Sequence, residues 1–448
     1  MPITEHIVDV ALRLTPGSIT TEARTVARQC VLDWLGCGIA GSTEPLSQML
    51  VREAGASGGE ATLLGQSERA RPLDAALING AMSHALDFDD THTLMSGHPS
   101  VPVLPAVVAL AEREDAAGAA LIDAIVAGIE TECRLGALIN PGHYAAGFHA
   151  TGTLGTFGAA AACAHLLGLT REQRLHALGL AGTQAAGLKS GFGTMAKPLH
   201  AGRAAANGLL AALLARGGFT ANTAIIEATQ GFASTHAAGA LDESVLDALD
   251  GRFLTTDTLF KYHASCYLTH AAIDAAVQLR ESAGLAPGVI DSVEVHASTG
   301  CVGVCDIDAP GTGLEGKFSL RATTAMALLG DDTSDPAAFN DDRMRSPQLA
   351  NMRDRVAFVP VRGLPVTQAT VVVRAGAREM QASADTGIPE RDLHRQWQRL
   401  SAKFVALTSP VIGGEAARRL CDAVAHIEDA PSIRDVTALS RPWVATPA

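Results

Sequence analysis

The spacing of apolar residues changes along this chain, and that change constrains the fold more than any other feature. Over the first 250 residues, apolar side chains recur every three or four positions, which is the period of a helix with one buried face. The pattern is found in residues 20–40, 74–84, 100–113, 117–138, 151–167 and 201–217. A threonine cap stands at the start of the first of these helices, and Thr170 with Gln173 forms a capping-box pattern before a further helix. We therefore predict that the first 250 residues are helical.

Beyond residue 286 the pattern becomes an alternation of apolar and polar residues, which is typical of strands. It predicts strands at 289–297, 356–362, 369–375 and 377–383, a helix at 317–330 and helices again over 390–448. The predicted fold class is therefore mainly α, with a large all-helical domain and an inserted smaller α+β domain. We place the two helical parts at 1–258 and 397–448 and the α+β domain at 259–396.

The composition excludes several classes of protein. Hydrophobic residues make up 47% of the 448 residues and charged residues only 18%, which excludes a disordered chain and indicates a large buried fraction or a subunit interface. A net charge of −13 without a basic run excludes a nucleic-acid partner. Every long apolar run is interrupted by charge, and residues 1–13 do not resemble a signal peptide. We therefore expect a cytoplasmic protein with no membrane partner.

Lysine is rare in this chain. Only five of the 34 cationic residues are lysines, and all the others are arginines. A chain that uses arginine for ordinary surface charge can keep lysine for places that need a compact or titratable cation. The five lysines are Lys189, Lys197, Lys261, Lys317 and Lys403, and four of them lie in segments that contain candidate site motifs.

The densest polar cluster runs from Asp87 to His92 and follows a helix that we expect to be buried. Its three carboxylates lie within four residues and repel one another, so they need partners or protonation if the fold encloses them. The alternative is a solvated helix end. A metal site formed by Asp89, Asp90 and His92 matches no standard metal-binding motif.

Further histidines and lysines stand beside predicted helix starts. The positive end of a helix disfavours a protonated imidazole, and a neutral histidine near working pH suits proton transfer. Each such residue taken alone is more often structural, but several clusters at helix starts are harder to dismiss together. These residues are His98 in GHPS, His149 in GFH, Lys197 and His200 in KPLH, and Lys261 and His263 in KYHASC.

Together, these clusters resemble the sequence motifs of the MmgE/PrpD family. The matching stretches are ALDFDDTH (85–92), GHPS (97–100), GFHATGTLGTFGAA (147–160), FGTMAKPLHAGRAA (192–205), KYHASCYLTHAAIDA (261–275) and KFSL (317–320). The resemblance implies a large helical domain with an α+β lid, a homodimer, and catalysis without a metal or organic cofactor. It also implies small di- or tricarboxylate substrates, because the family includes 2-methylcitrate dehydratase, cis-aconitate decarboxylase and iminodisuccinate epimerase.

The resemblance also assigns site residues. It implies catalytic roles at six positions, which are Asp87, Thr91, His98, His149, Lys197 and Lys261. We further expect His200, His263 and Arg321 to bind the substrate. The chemistries of the family share carbanion or enediolate character beside a carboxylate, so cations must compensate the negative charge that builds up.

We therefore predict a lyase that dehydrates or decarboxylates a small polycarboxylate, with histidine moving the proton and lysine or arginine anchoring the carboxylates. Two alternatives stay open. One is an isomerase or epimerase of a dicarboxylate such as iminodisuccinate, with His98 and His149 acting on two faces of one carbon. The other is a non-catalytic dimer that only binds a carboxylate.

Overall fold

The computed structural model describes residues 1–54, 58–237, 241 and 243–442. Helices dominate it. They are α1 (Ile3–Arg13), α2 (Thr21–Gly41), α3 (Pro45–Ala54), α4 (Pro72–His84), α5 (Ser100–Glu114), α6 (Gly118–Ile139), α7 (Gly142–Ala145), α8 (Ala150–Leu166), α9 (Arg171–Gly182), α10 (Ala196–Arg216), α11 (Phe232–His236), α12 (Ser244–Ala248), α13 (His270–Ala283), α14 (Gly313–Gly316), α15 (Leu320–Leu329), α16 (Asp341–Met344), α17 (Pro347–Arg353), α18 (Leu393–Ile412), α19 (Gly414–Ala425) and α20 (Ile433–Thr437). The prediction of a mainly α fold is confirmed.

Two small sheets complete the fold. The first pairs β1 (Ala61–Thr62) with β2 (Arg69–Ala70) in antiparallel fashion. The second has the order β4-β3-β5-β6, with β3 parallel to β4 and antiparallel to β5, and β5 antiparallel to β6. Its strands are β3 (Ser292–Ser298), β4 (Val356–Val361), β5 (Gln368–Ala375) and β6 (Arg378–Asp385).

Side-chain caps explain where two of the predicted helices begin. Thr20 accepts a hydrogen bond from the backbone N–H of Ala23 and so caps α2. Thr170 and Gln173 form a reciprocal capping box at the start of α9. Both caps stand at the helix starts predicted from the sequence, because capping depends on neighbours only three residues away.

Small residues let the central helices approach closely. Helices α4, α5, α6, α8 and α10 form most of one large apolar core, to which α2 and α18 contribute from outside. At the crossing of α4 and α10, a Cβ atom added at Gly202 would lie 2.1 Å from the carbonyl oxygen of Leu77, and one added at Gly80 would lie 2.7 Å from Cα of Gly202. Only glycine at these positions permits this separation of the two helices.

The larger sheet buries one face, as its alternation predicts. Val293 and Val295 of β3 and Val371 and Val373 of β5 are fully buried, while the residues between them are partly exposed. The register pairs Val293 with both Val356 and Val373. This face packs against α13 and α15 and forms the centre of a second apolar core.

The structure differs from the predictions at two points of detail. The first 250 residues are not entirely helical, because they include the β1–β2 pair. Two-residue strands are too short to produce a detectable alternation, so the sequence pattern did not reveal them. Helix α5 begins at Ser100, one residue after Pro99, so His98 precedes the helix by two residues.

The chain returns to the helical part after the sheet, since α18 packs on α2. The boundaries at residues 258 and 396 stay a prediction, and residues 443–448 of the last predicted segment lie outside the described chain. Within the residues that the structure describes, none of the helices combines the length and apolarity needed to cross a bilayer.

Candidate active site

The segment Leu86–Asp90 lies where the two apolar cores meet. It follows α4, and Leu86 and Phe88 are buried in the core that contains the sheet. The intervening Asp87 and the next residues Asp89 and Asp90 are also buried, with exposures of 0–3%. The three carboxylates are therefore enclosed, and each needs a stabilising partner.

Asp87 receives two ammonium groups. Its Oδ1 accepts hydrogen bonds from Lys197 Nζ at 2.5 Å and from Lys261 Nζ at 3.0 Å. Burial works to raise the pKa of Asp87, but the two lysines and the nearby imidazoles outweigh it and hold the pKa well below its usual value. Asp87 is therefore ionised and shared between two cations that come from distant parts of the chain.

Three consecutive carbonyl groups beside this carboxylate each accept a hydrogen bond from a different lysine. Lys317 Nζ donates to Leu86 O at 2.6 Å, Lys261 Nζ to Asp87 O at 2.7 Å and Lys403 Nζ to Phe88 O at 2.6 Å. We call Lys261, Lys317 and Lys403 the carbonyl-binding lysines. They hold the backbone around Asp87, whose φ of 51° lies in the left-handed region.

The carboxylate of Asp89 contacts two imidazole rings. Its carboxylate oxygens lie 2.9 Å and 3.0 Å from Nδ1 of His84, and Oδ2 lies 3.0 Å from Nδ1 of His98. Burial lowers the pKa of His84 to about 3 and also lowers that of His98. Burial alone would raise the pKa of Asp89, but the two histidines lower it well below 3.8. At neutral pH we therefore infer an ionised Asp89 between two neutral imidazoles.

Asp90 anchors the start of α5 and orients His98. Its carboxyl group accepts hydrogen bonds from the backbone N–H of Ser100, at 3.2 Å, and from the Ser100 hydroxyl. Burial and the charge of Asp33 raise the pKa of Asp90 to about 7. The backbone carbonyl of Asp90 lies 2.8 Å from Nδ1 of His98. A carbonyl can only accept, so Nδ1 carries the proton and Nε2 of neutral His98 is free to act as a base.

His149 provides the second imidazole of the site. It precedes α8, and its Nδ1 lies 3.0 Å from Nδ1 of His200, so that one ring donates to the other. Burial and the charge of Lys197 lower the pKa of His149 well below 6.5. Its buried Nε2 has no hydrogen-bond partner within the described structure. An unpaired nitrogen in a buried position is available to a substrate.

These groups face a cavity of about 460 Å³, a volume within the ~300–1,000 Å³ typical of small-molecule sites. Its polar lining includes Asp87, Thr91, His98, His149, Lys189 and Lys197. Its apolar and aromatic lining includes Tyr144, Phe192, Val302, Val304, Phe318 and Val366. Both the helical part and the sheet-containing part of the chain therefore contribute to the walls.

A larger cavity of about 1140 Å³ lies behind the same segment, lined among others by Leu86, Phe88 and Lys403. Its lysine is already bonded to the carboxylate of Asp33 at 2.6 Å and to two carbonyl groups. The catalytic candidates Asp87, His98 and His149 line the smaller cavity instead. We therefore take the smaller cavity as the candidate active site.

Backbone pairing explains how Lys261 reaches Asp87. Thr91 and Leu259 form an isolated antiparallel bridge with two hydrogen bonds of 2.8 Å. This bridge places the chain that follows Leu259 beside the Asp87 segment. Thr91 also donates its hydroxyl to Gly97 O at 2.9 Å and so closes the loop that leads to His98. All six residues predicted to be catalytic thus meet at or immediately behind the cavity.

The three residues predicted to bind the substrate are placed differently. His200 contacts His149 but stands behind it. His263 Nε2 lies 2.9 Å from Asp274 Oδ1, and its Nδ1 lies 2.8 Å from the Thr333 hydroxyl. Arg321 Nε lies 3.3 Å from Asp308 Oδ1. As far as the structure describes the cavity wall, it includes none of the three, so their contact with substrate stays a prediction without support from this geometry.

The predicted site residues did not include His84 or three of the five lysines. His84 lies within α4 and its ring centroid is 4.6 Å from that of His98, but it is separated from the recognisable clusters. Lys189 lines the cavity, while Lys317 and Lys403 bind the carbonyl groups described above. The rarity of lysine was the signal that pointed to them, since all five lysines contact this region.

A metal ion has a geometrically suitable group of ligands here. One atom from each of His84, Asp87, Asp89 and His98 lies within 4.8 Å of the others. However, Asp87 already accepts from two ammonium groups, and a dication would stand beside both of them. Asp89 is engaged by both imidazoles. The donor set is therefore better matched to the lysines than to a divalent cation.

The charge of this region is opposite to that of the whole chain. Below pH 7 the five lysines carry five positive charges, whereas Asp33, Asp87 and Asp89 carry three negative charges. The region therefore has an excess of positive charge. The net charge of the chain is −13. Local cations in a water-poor cavity thus provide the attraction for an anion that the overall field does not.

Comparison with known proteins finds matches to both parts of the chain. Residues 5–243 match the MmgE/PrpD N-terminal domain and residues 263–429 match the MmgE/PrpD C-terminal domain. The human cis-aconitate decarboxylase is 28% identical over 98% of this chain and 94% of its own length. The cis-aconitate decarboxylase of Aspergillus terreus strain NIH 2624 is 30% identical over 79% of this chain and 77% of its own length.

A cis-aconitate decarboxylase-like protein of Aspergillus oryzae is 30% identical, and the match spans 62% of each chain. These relatives support a lyase of the same family. The two domain matches together cover most of the 448 residues, in the order in which the helical and sheet-containing parts occur. This chain belongs to the MmgE/PrpD family.

Proposed function

We propose that this chain is a decarboxylase of a small unsaturated tricarboxylate of the cis-aconitate type. The observation that carries the proposal is the convergence of Asp87, His98, His149 and Lys197 on one partly apolar cavity. The names of the relatives support the choice of substrate. Dehydration and epimerisation are the alternative reactions, and the experiment described below distinguishes them from decarboxylation.

The proposed reaction breaks the bond between a CH₂ carbon and its carboxylate, and CO₂ leaves. The electron pair of that bond forms a new double bond, and the pair of the original double bond moves to the carbon beside another carboxylate. This carbon then accepts a proton. The negative charge that develops on the second carboxylate is stabilised by Lys197, and one such donor in a water-excluded site contributes roughly 3–4 kcal/mol.

Two imidazoles are available for the proton. If Nδ1 of His149 accepts from Nδ1–H of His200, the proton of His149 is on Nε2, from which it is donated to the carbanion. His98 carries its proton on Nδ1, so its Nε2 accepts a proton. Decarboxylation consumes one proton in each turnover. His149 donates it from Nε2 while its Nδ1 takes the Nδ1 proton of His200, so that no imidazolate is left on His149. His98 then accepts a replacement proton from solvent at Nε2 and returns it to the His149–His200 pair before the next turnover.

The apolar lining favours loss of CO₂. A carboxylate that becomes neutral CO₂ loses its charge, and this change is easier in an environment that solvates the charge poorly. Phe192, Phe318, Val302, Val304 and Val366 provide such surroundings within the same cavity. Lys197 meanwhile supports the carboxylates that keep their charge.

Proton NMR with a panel of acids tests the proposed function. We expect cis-aconitate to give CO₂ and a product with new vinyl protons, and 2-methylcitrate, citrate and iminodisuccinate to remain unchanged. His98→Gln should lower kcat about 10²–10⁴-fold, because it removes the proton acceptor. The matched control is His394→Gln, which changes an exposed histidine of α18 and should leave the rate unchanged.

Other outcomes contradict the proposal in distinct ways. Loss of water from 2-methylcitrate without CO₂ identifies a dehydratase. Entry of solvent deuterium into recovered iminodisuccinate identifies an epimerase. Calorimetric binding without turnover of any acid identifies a binding protein.

We also propose the homodimer that the family resemblance implies. The low charged fraction of 18% agrees with a buried subunit interface. Sedimentation velocity at micromolar concentration measures the state directly, and a monomer at all concentrations would contradict it.

A further inference from the structure

Lys189 presents an ammonium group to the cavity that the proposed mechanism does not use. Its Nζ donates to Tyr144 O at 3.2 Å and lies 3.9 Å from the centroid of the Tyr144 ring. An ammonium group has three N–H donors, so two of them remain for a ligand. Lys189 and Tyr144 both line the cavity.

Lys189 differs from the other cavity lysine in its charge environment. Lys197 forms an ion pair with Asp87, with a separation of 2.5 Å between Nζ and Oδ1, so that it shares its charge with a carboxylate of the protein. For Lys189, the described residues place no carboxylate oxygen within ion-pair distance. The side chain is half-buried, and this burial lowers its pKa. A partly desolvated cation without a counter-charge is a natural binding point for an anionic group of a ligand.

The position of Lys189 is fixed relative to the catalytic candidate His149. The N–H of His149 donates to Gly187 O at 3.0 Å, and the N–H of Lys189 donates to Gly147 O at 2.8 Å. These two bonds flank the bridge between Phe148 and Leu188. The backbone of Lys189 is therefore held by hydrogen bonds to the segment Gly147–His149, which directly precedes α8.

The cavity thus has two separate cationic points, one at the Lys197–Asp87 pair and one at Lys189. We propose that Lys189 binds a second carboxylate of the substrate and so selects acids with carboxylates at both ends over acids that carry only one. This inference rests on the proposed function for the identity of the reaction, but its binding component is independent of turnover. Lys189 is then a specificity-determining residue.

Tricarballylate tests the inference without any reaction, because this saturated tricarboxylate lacks the double bond that the proposed decarboxylation needs. Calorimetry with wild-type protein should show binding, and Lys189→Met should weaken it about 10–100-fold, as expected for loss of a charge-assisted hydrogen bond. Lys189→Arg should stay within about tenfold of wild type. The matched control is Arg378→Met, which removes an exposed cation of β6 and should leave the affinity unchanged.

The number of carboxylates provides a second measurement. Glutarate has carboxylates at both ends and butyrate at only one. Lys189→Met should reduce the affinity for glutarate and leave that for butyrate unchanged. With a turned-over substrate, the same variant should raise KM about 10–100-fold and change kcat less than about threefold. Lys189→Gln, which keeps polarity without charge, should behave as Lys189→Met.

Each result has a defined meaning. Wild-type affinity for tricarballylate in Lys189→Met overturns the inference, as does a wild-type protein that does not bind tricarballylate. A fall in kcat at constant KM also overturns it. If Lys189→Met loses affinity but wild-type protein converts no acid in the panel, the binding role stands and the proposed lyase activity fails.

Discussion

At the scale of single residues, Asp87 combines an unfavourable backbone conformation with unusually strong support. A side-chain-bearing residue in the left-handed region costs about 1–3 kcal/mol, although aspartate tolerates it better than most. The carbonyl-binding lysines hold Leu86, Asp87 and Phe88 in place by three hydrogen bonds of 2.6–2.7 Å. We infer that these bonds maintain the conformation that aims the Asp87 carboxylate at Lys197.

Lys403 offers a test of this support. It pairs with buried Asp33 at 2.6 Å and donates to Phe88 O. Lys403→Met should destabilise the protein by about 3–5 kcal/mol, because it leaves a buried carboxylate without its counter-charge. The double variant Lys403→Met/Asp33→Asn should recover part of this loss. Urea denaturation followed by circular dichroism measures both, and an unchanged midpoint in Lys403→Met would refute the prediction.

The pH dependence of activity tests the assigned protonation state of His98. Burial lowers its pKa below 6.5, so the neutral base is present above that value and is lost only as the pH falls through the lowered pKa. We expect kcat/KM to be constant from pH 8 to 6.5 and to fall, by up to about tenfold per pH unit, only below the lowered pKa of His98. An activity that instead rises on acidification below pH 6.5 would indicate that His98 acts as the acid.

The residue scale also shows a limit of sequence reasoning. Lys261 and His263 are two positions apart, and the predictions made Lys261 catalytic and His263 substrate-binding. Yet Lys261 donates to Asp87, while His263 contacts Asp274 and Thr333. Side chains so close in sequence point in different directions in an irregular segment, and only the packing around the segment determines which one faces the cavity.

At the scale of elements, close contacts between helices place the site residues. Lys197 stands in the first turn of α10, and the Asp87 segment follows α4. The distance between these two helices is limited by Gly80 and Gly202, where the backbones touch. The many alanines and glycines of the chain favour close helix packing, but their abundance does not identify which glycines form the contact.

Gly202→Ala tests this contact. The added methyl group would lie 2.1 Å from Leu77 O, so α10 must shift away from α4. We expect a loss of about 1–3 kcal/mol in stability and a reduced kcat, since Lys197 moves with the helix. The matched control is Gly217→Ala at the end of α10, where φ is −78° and the nearest atom is 3.4 Å away. Thermal unfolding should distinguish the two, and equal melting temperatures would contradict the role of the α4–α10 contact.

At the scale of the whole molecule, buried histidines determine the response to acid. Burial lowers the pKa of His84 to about 3 and those of His143 and His165 to about 4. Between pH 6.5 and about 4 the unfolded chain therefore binds these protons and the native protein does not. Stability should fall as pH falls through this window, by about 1.4 kcal/mol per pH unit for each net proton.

Buried carboxyl groups with a raised pKa act in the opposite direction, and besides Asp90 they include Asp33, Asp123 and Glu132, whose pKa values are raised by burial. Asp90, with a pKa raised to about 7, binds a proton in the native state first and offsets one histidine. His165→Gln should reduce the slope of stability against pH by about one proton, while His394→Gln at the surface should not change it. Urea midpoints from pH 4 to 7 measure the slopes, and stability that is independent of pH would contradict the argument.

The sequence by itself determined the type and order of the long helices, the strands of the larger sheet and the family. Apolar spacing and caps act over three or four residues, so Thr20 and Thr170 begin their helices as predicted. The motifs around Asp87, His98, His149 and Lys197 identified the site candidates for the same local reason.

Only the tertiary structure decided how these groups are paired. Asp87 bonds to lysines, Asp89 contacts imidazoles and Asp90 accepts hydrogen bonds at the start of α5, although the three aspartates are almost adjacent in the chain. The tertiary structure also brought Lys317 and Lys403 to the same short segment from more than 200 residues away. Such pairings depend on distances between elements, and these distances are set by the packing of whole helices rather than by any local pattern of residues.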